Sequence, residues 1–150
     1  MKKIFKLCYL FMFLFIISCS SNFNPNENIN NLFNMVNAER RKAGKSDLIY
    51  DSKISEAAYI RAKEISGPDS FSHHRPNGTL YVTVFDELHI SYSLTVENIA
   101  GGHRNANEVM KDWMNSKGHK SNILSNKYKK IGIAVYNKNG TLYWVQLFSN

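Results

Sequence analysis

Apolar residues recur every three or four positions through four stretches of this chain and crowd together in three others, and the two patterns lay out its elements. Ile29, Leu32, Phe33 and Val36 share one helical face, with Asn28 placed as N-cap, Arg40, Arg41 and Lys42 in the last turn and Gly44 closing the segment. A short extended piece at 48–50 precedes Asp51, which is placed to cap a second helix from Ser52 to about Ser66. Its face is Ile54, Ala57, Ala58, Ala62 and Ile65, and Gly67 and Pro68 stop it. Leu80, Tyr81, Val84, Phe85 and Leu88 return to helical spacing, although their β-branched neighbours weaken the pattern. Residues 105–115 predict a further helix with Val109, Met110, Trp113 and Met114 inward, after which Gly118 is expected to turn the chain just before His119.

The crowded stretches read as strands. Residues 94–100 predict a buried strand ending at Gly101 and Gly102, while 130–137 and 141–148 flank Asn139 and Gly140, the dipeptide that suits a two-residue hairpin turn. Three or four helices, three or four short strands, a C-terminal β-hairpin and no regular β-α-β alternation point to the α+β class in one domain. No internal repeat is visible.

The first residues follow neither pattern. Lys2, Lys3 and Lys6 precede an apolar run at 7–17, eleven residues where a membrane-spanning helix needs about 20, so residues 1–18 read as a signal peptide. The run ends in Ile16, Ile17, Ser18 and Cys19, which resembles a bacterial lipobox and makes Cys19 the expected lipidation site. Residues 19–28 then form a lipidated, Ser/Asn-rich tether, and 29–150 form the domain. Cys8 falls in the discarded part, so the mature domain has no disulfide. Loss of the three N-terminal lysines takes 19 basic residues to 16 against 12 acidic ones, a formal charge of +4 in place of +7. The remaining bias includes Lys111, Lys117, Lys120, Lys127, Lys129 and Lys130. It reads first as a solvated basic face, with anionic lipid, glycan or a host polyanion as the partners it would favour. No nucleic-acid recognition motif is present, and the expected state is a monomer held to a membrane by its lipid. Ser20 after the cysteine favours an outer membrane, hence a lipid-anchored cell-surface location.

Candidate chemistry is sparse. Residues 71–78 form a turn-rich loop with adjacent His73 and His74, one able to face a cleft while the other faces solvent. Glu97 lies among apolar neighbours and requires a partner if buried. His119 follows Trp113 and Gly118 at the edge of the packed body.

In order along the chain, Asn37 to Arg40 with Gly44, Phe71 to His73 with Arg75 to Gly78, Glu97 to Ala100, Trp113 to Ser116 with Gly118, His119 and Asn122 to Leu124, and Ile131 to Ala134 with Tyr143 to Phe148 resemble the CAP superfamily, also called SCP/TAPS or pathogenesis-related-1-like, in its short bacterial form. The resemblance covers the mature domain and implies a three-layer α-β-α sandwich with a mainly antiparallel central sheet. It also implies a cleft that in some members holds a divalent metal such as zinc on two His and two Glu. The matching positions are His73, Glu97 and His119, while Ser116 stands where the second glutamate would be. Two imidazoles and one carboxylate suit a three-ligand zinc site with water in the fourth position, and a serine hydroxyl is a poor replacement for a carboxylate. His74, His89 and His103 match no family position and read as loop or surface residues.

Three functions are compatible with these residues. The first is a non-enzymatic binding module that presents a reduced His/Glu cleft to a host or surface macromolecule. The second is a hydrolase or peptidase, using metal-bound water at His73, Glu97 and His119 or Ser116 as nucleophile with His119 as base. The third is a sterol or fatty-acid carrier using its aromatic residues, which core packing explains equally well.

Overall fold

The computed structural model describes residues 23–150, so the signal peptide at 1–18 and the lipidation site Cys19 lie outside the described residues. The first helix, α1, spans Pro25–Lys42 and begins earlier than its apolar face implies. Pro25 costs nothing at the first helical position, where its missing N–H would be unpaired anyway, and the Asn24 side chain accepts from the N–H groups of Asn26 and Glu27. Asn24 is therefore the N-cap, and the tether expected through residue 28 is helical from 25 onward. Asn28 does something else: its Oδ1 accepts the N–H of Ala106 at 3.0 Å, pinning α1 to a later helix.

Strand β1 is Ile49–Tyr50 and helix α2 is Ser52–Ile65, capped by the Asp51 carboxylate on Lys53 and Ile54 N–H as expected. The helical spacing at 80–88 yields only a short helix, α3, at Thr83–Glu87. Strand β2 follows at Thr95–Gly101, then α4 at Ala106–Asn115 and α5 at Lys117–Ile123. The hairpin closes the chain as β3, Lys130–Lys138, and β4, Thr141–Ser149. Asn139 and Gly140 both have positive φ, +52° and +88°, the geometry a two-residue type I′ turn demands.

The four strands form one sheet in the order β1-β3-β4-β2. The β2–β4 and β3–β4 pairs are antiparallel, and only the two-residue β1 runs parallel to β3, so the sheet is mixed and mainly antiparallel. One face carries α2 and α3, packed through Ile54, Ala57, Ala62, Phe85, Val145 and Leu147. The other carries α1, α4 and α5 over Leu32, Val36, Trp113, Trp144 and Phe148. The result is the expected α-β-α sandwich. The small residues of α2 let it lie directly on the sheet, and the closest approach is at Gly132 of β3, where a Cβ would stand 2.2 Å from the carbonyl carbon of Ile54. Only glycine permits that contact.

Polar groups missing from the apolar pattern complete the frame. Asn37 is buried and exchanges two bonds with the Leu48 backbone, Nδ2 to O at 3.0 Å and N–H to Oδ1 at 2.8 Å. Arg40 is also buried, and it donates to the carbonyls of Ser46, Ile123 and Ser125. Two loops are thereby tied to the end of α1, which satisfies backbone acceptors that would otherwise be stranded.

Candidate functional site

The site is organised by β2, an edge strand of the sheet. Its partners on β4 take one of its hydrogen-bonding edges, and side chains cap two carbonyls of the other. The Tyr81 hydroxyl donates to Thr95 O at 3.0 Å and Trp113 Nε1 donates to Ile99 O at 3.3 Å. Between those two carbonyls lie Glu97 and Asn98, whose side chains leave the strand on opposite faces because successive residues alternate. Glu97 projects toward α2 and Asn98 toward α5, and each gathers one of the two histidines.

On the α2 side, Glu97 is the centre of a buried charge network. Arg61, wholly buried on α2, donates from Nε to Glu97 Oε1 at 2.8 Å and from Nη2 to Oε2 at 3.4 Å. It also reaches Glu64 Oε2 at 2.6 Å and Ser72 O at 2.9 Å. Arg75 continues the chain, pairing with Glu64 at 2.7 Å and Glu87 at 2.9 Å, and these acids hold its guanidinium even more firmly protonated than usual. An ion pair this deep gains little net free energy over an apolar pair, because desolvation offsets much of the attraction, but it fixes geometry: each charge requires the other. His73 joins it with Nδ1 at 2.8 Å from Glu97 Oε2. A carboxylate in an arginine ion pair only accepts, so Nδ1 is the donor and Nε2 is left for the outside, where half of the His73 side chain is exposed. Tyr81 stacks edge-on against His73, and burial pushes its phenol up to about 12. His74 is exposed and outside the network, as the alternation of adjacent side chains requires.

On the other side, His119 lies within α5. The chain turns earlier than expected: Ser116 is the extended residue between α4 and α5 (φ −85°, ψ 122°), and Gly118 is an ordinary helical position. His119 packs edge-on against Trp113 at 6.4 Å between ring centres, and its carbonyl accepts from Asn98 Nδ2 at 3.3 Å. Asn98 further donates to Gln146 Oε1 at 3.1 Å and accepts from Asn122 Nδ2 at 2.9 Å. Burial lowers the His119 pKa; the charge of Asp112 opposes that shift and the charge of His73 adds to it. Two polar atoms here, His119 Nδ1 and Gln146 Nε2, are buried without a hydrogen-bond partner in the protein.

Of the expected companions, His73 and Glu97 thus meet each other, whereas His119 is tied to the neighbouring Asn98 through its backbone carbonyl, and the roles differ from a ligand set. Both Glu97 oxygens are already engaged, Oε1 by Arg61 and Oε2 by Arg61 and His73. Among the described residues no group of three or more His, Cys, Asp or Glu is placed to hold a metal ion. The trio His73, Glu97 and His119 therefore does not fit zinc as its three ligands. Among the described residues the Ser116 side chain makes no capping hydrogen bond, and none joins its hydroxyl to His119. Among the remaining histidines, His89 is exposed, whereas His103 is half-buried, with Nε2 3.5 Å from Asp112 and its carbonyl accepting from Trp144 Nε1. Arg61 is the functional residue that periodicity passes over. It lies three residues after Ala58 and four before Ile65, on the apolar face of α2, and a cation on such a face signals a buried acid.

Residues 33–148 match the model of the CAP, Cysteine-rich secretory protein family. The chain is 37% identical over 117 residues to the uncharacterized protein YkwD of Bacillus subtilis, covering 76% of this chain and 44% of that protein. It thus spans less than half the length of the curated relatives it matches. Among solved structures, an extracellular protein containing a SCP domain from Bacillus anthracis is similar with a TM-score of 0.78 at 25% identity, over 84% of this chain and 41% of that one. An outer surface protein from Borrelia burgdorferi has the same fold with a TM-score of 0.78 at 23% identity, covering 85% of this chain and 96% of its own.

Proposed function

The chain belongs to the CAP, or cysteine-rich secretory protein, family, and from that premise we propose that it is a lipid-anchored surface protein whose cleft binds a partner without turning it over. The observation that carries the reading is the polar chemistry around β2: His119 Nδ1, buried without a partner on one side, and the half-exposed His73 ring, held through Nδ1 by Glu97, on the other. A buried polar atom without a partner costs about 1–3 kcal/mol, which an incoming hydrogen-bonding group can recover. Glu97 acts as the orienting residue, holding the His73 ring while Arg61 holds Glu97. Against hydrolysis stand the committed carboxylate and the unassisted Ser116 hydroxyl. Against lipid carriage stands the use of the large aromatics: Trp113, Trp144, Phe85 and Phe148 are fully buried core.

The surface location draws support from the lipobox-like Ile16 to Cys19 and from the extracellular and outer-surface descriptions of the two similar structures. Mass analysis of the N-terminal peptide should find acyl chains on Cys19, and Cys19→Ser should leave the precursor uncleaved; an unmodified, cleaved N-terminus contradicts anchoring. For the cleft, a photo-crosslinking residue at Ser116 on intact cells should capture a molecule that the same group at exposed Glu56, on α2, does not. Equal capture at both positions contradicts a binding cleft. Turnover of a peptide or ester panel that is lost in Glu97→Gln would replace the binding reading with the hydrolase.

A further inference from the structure

A second site lies away from the cleft, where the end of α1 meets the loop after α5. Arg40, Lys45, Asp47, Asn126, Tyr128 and Lys129 line a cavity of about 490 Å³, together with small loop residues. Its floor is Arg40, only 2% exposed, and this guanidinium meets no carboxylate: Nε donates to Ser46 O at 2.8 Å, and Nη1 donates to Ile123 O at 2.7 Å and Ser125 O at 2.8 Å. Three neutral carbonyls satisfy its hydrogen bonds without neutralising its charge, and Nη2 is left over. The acids nearby are committed elsewhere, Asp47 to Arg41 at 2.6 Å and Asp51 to Lys130 at 3.4 Å. Among the described residues no ion pair joins Lys45 or Lys129 to a carboxylate. Three cationic side chains therefore face one acid that another arginine already holds. Burial lowers the Arg40 pKa and outweighs the pull of Asp47, so an anion in the cavity would restore what desolvation removes.

We propose that this cavity binds a phosphate or sulfate group, held by Arg40 Nη2, the Lys45 and Lys129 ammonium groups and the Tyr128 hydroxyl. A tetrahedral oxyanion offers acceptors to four donors arriving from different elements, and guanidinium and ammonium donors to such oxygens make the stronger, charge-assisted class of hydrogen bond. The volume exceeds a single ion, so the group can be free or carried on a larger soluble molecule. A lipid headgroup is disfavoured by position. The cavity lies at the far end of α1 from Asn24, about 27 Å along an 18-residue helix at roughly 1.5 Å per residue, and the N-terminal segment joins at the near end.

The site is independent of the cleft and is tested separately. Full-length, isotope-labelled protein in detergent is titrated with inorganic phosphate at constant ionic strength, with chloride as the control. The expected result is saturable shifts of the Gly44, Ser46 and Asn126 amides, weakened about tenfold or more in Lys45→Ala/Lys129→Ala and unchanged in Lys111→Ala/Lys120→Ala, which removes equal charge elsewhere. A sulfated oligosaccharide that displaces phosphate identifies a polymer-borne group; phosphate binding undisturbed by the oligosaccharide identifies the free anion. Shifts that chloride reproduces, or that both double variants weaken equally, overturn the site. The lysines are on the surface, and matching thermal midpoints for the two variants show that the fold is retained.

Discussion

Replacing Glu97 by glutamine changes one oxygen to an NH₂ in a setting where every neighbour is a donor. In the native protein the carboxylate accepts from Arg61 Nε, Arg61 Nη2 and His73 Nδ1, and both charged side chains of the ion pair are wholly buried. At the Oε1 position the glutamine oxygen keeps only Arg61 Nε and its NH₂ faces Arg61 Nη2 and His73 Nδ1; at the Oε2 position it keeps those two and its NH₂ faces Arg61 Nε, donor against donor. Removing one partner of a buried ion pair costs about 3–5 kcal/mol, because the survivor is left charged and unpaired. Arg61 retains Glu64 at 2.6 Å and Ser72 O at 2.9 Å, which places Glu97→Gln near the lower end, about 3 kcal/mol. Urea denaturation should show a lower midpoint with an unchanged slope, the signature of altered stability without altered compactness. In a double-mutant cycle, Arg61→Met together with Glu97→Gln should cost less than the sum of the singles by about 1–3 kcal/mol, since the second change removes the charge the first left stranded. A single-mutant cost below about 1 kcal/mol, or additive singles, would refute the buried network as the support of the site.

Other outcomes follow from the same frame. Gly132→Ala should destabilise by about 3 kcal/mol or prevent folding, since its Cβ would sit 2.2–2.5 Å from the Ile54 and Ser55 backbone, and thermal unfolding of a soluble variant reads this directly. Asn37→Ala should cost about 2–4 kcal/mol by removing two buried bonds to Leu48, measured by chemical denaturation. The folded-state pKa of His119 lies below its ordinary 6.5, so the unfolded chain takes up its proton first as pH falls. The stability His119 contributes is therefore fully present above 6.5 and is lost as pH falls through the lower folded pKa, and His119→Gln should flatten that part of the stability profile. Tyr81→Phe should cost about 1 kcal/mol for the lost bond to Thr95 O, and it should remove the phenol titrating near 12 from the ultraviolet pH profile.

Elements set by local periodicity are readable from the chain. The apolar face of α2, its Asp51 cap and the Asn139-Gly140 turn appear where expected because each depends on residues within a few positions. The apolar face of α1 misplaces its start because an N-cap depends on the residue after it: Pro25 marks Asn24, whereas Asn28 precedes an apolar face but bonds across to α4. Gly118 suggests a turn that Ser116 makes instead, for a glycine is free to leave helical angles but not obliged to. The site is half legible. Burial of Glu97 follows from its neighbours, and Arg61 on the apolar face of α2 is the matching signal in the sequence. That the two share an ion pair depends on a separation of 36 residues, which only the packing of α2 on the sheet determines. The same holds for Arg40, whose three carbonyl partners come from two loops that follow it at very different distances along the chain.

On the proposed reading, Glu97 holds the half-exposed His73 ring through Nδ1 and leaves Nε2 for a partner instead of ligating a metal beside it. Long-range ¹H–¹⁵N spectra of the imidazole rings, recorded at a pH where both histidines are neutral, test this most directly. His73 should be in the Nδ1–H tautomer with unprotonated Nε2, unaffected by zinc and lost in Glu97→Gln. A His73 ring protonated on Nε2, or zinc-induced shifts at His73 and His119 that Glu97→Gln abolishes, would contradict it.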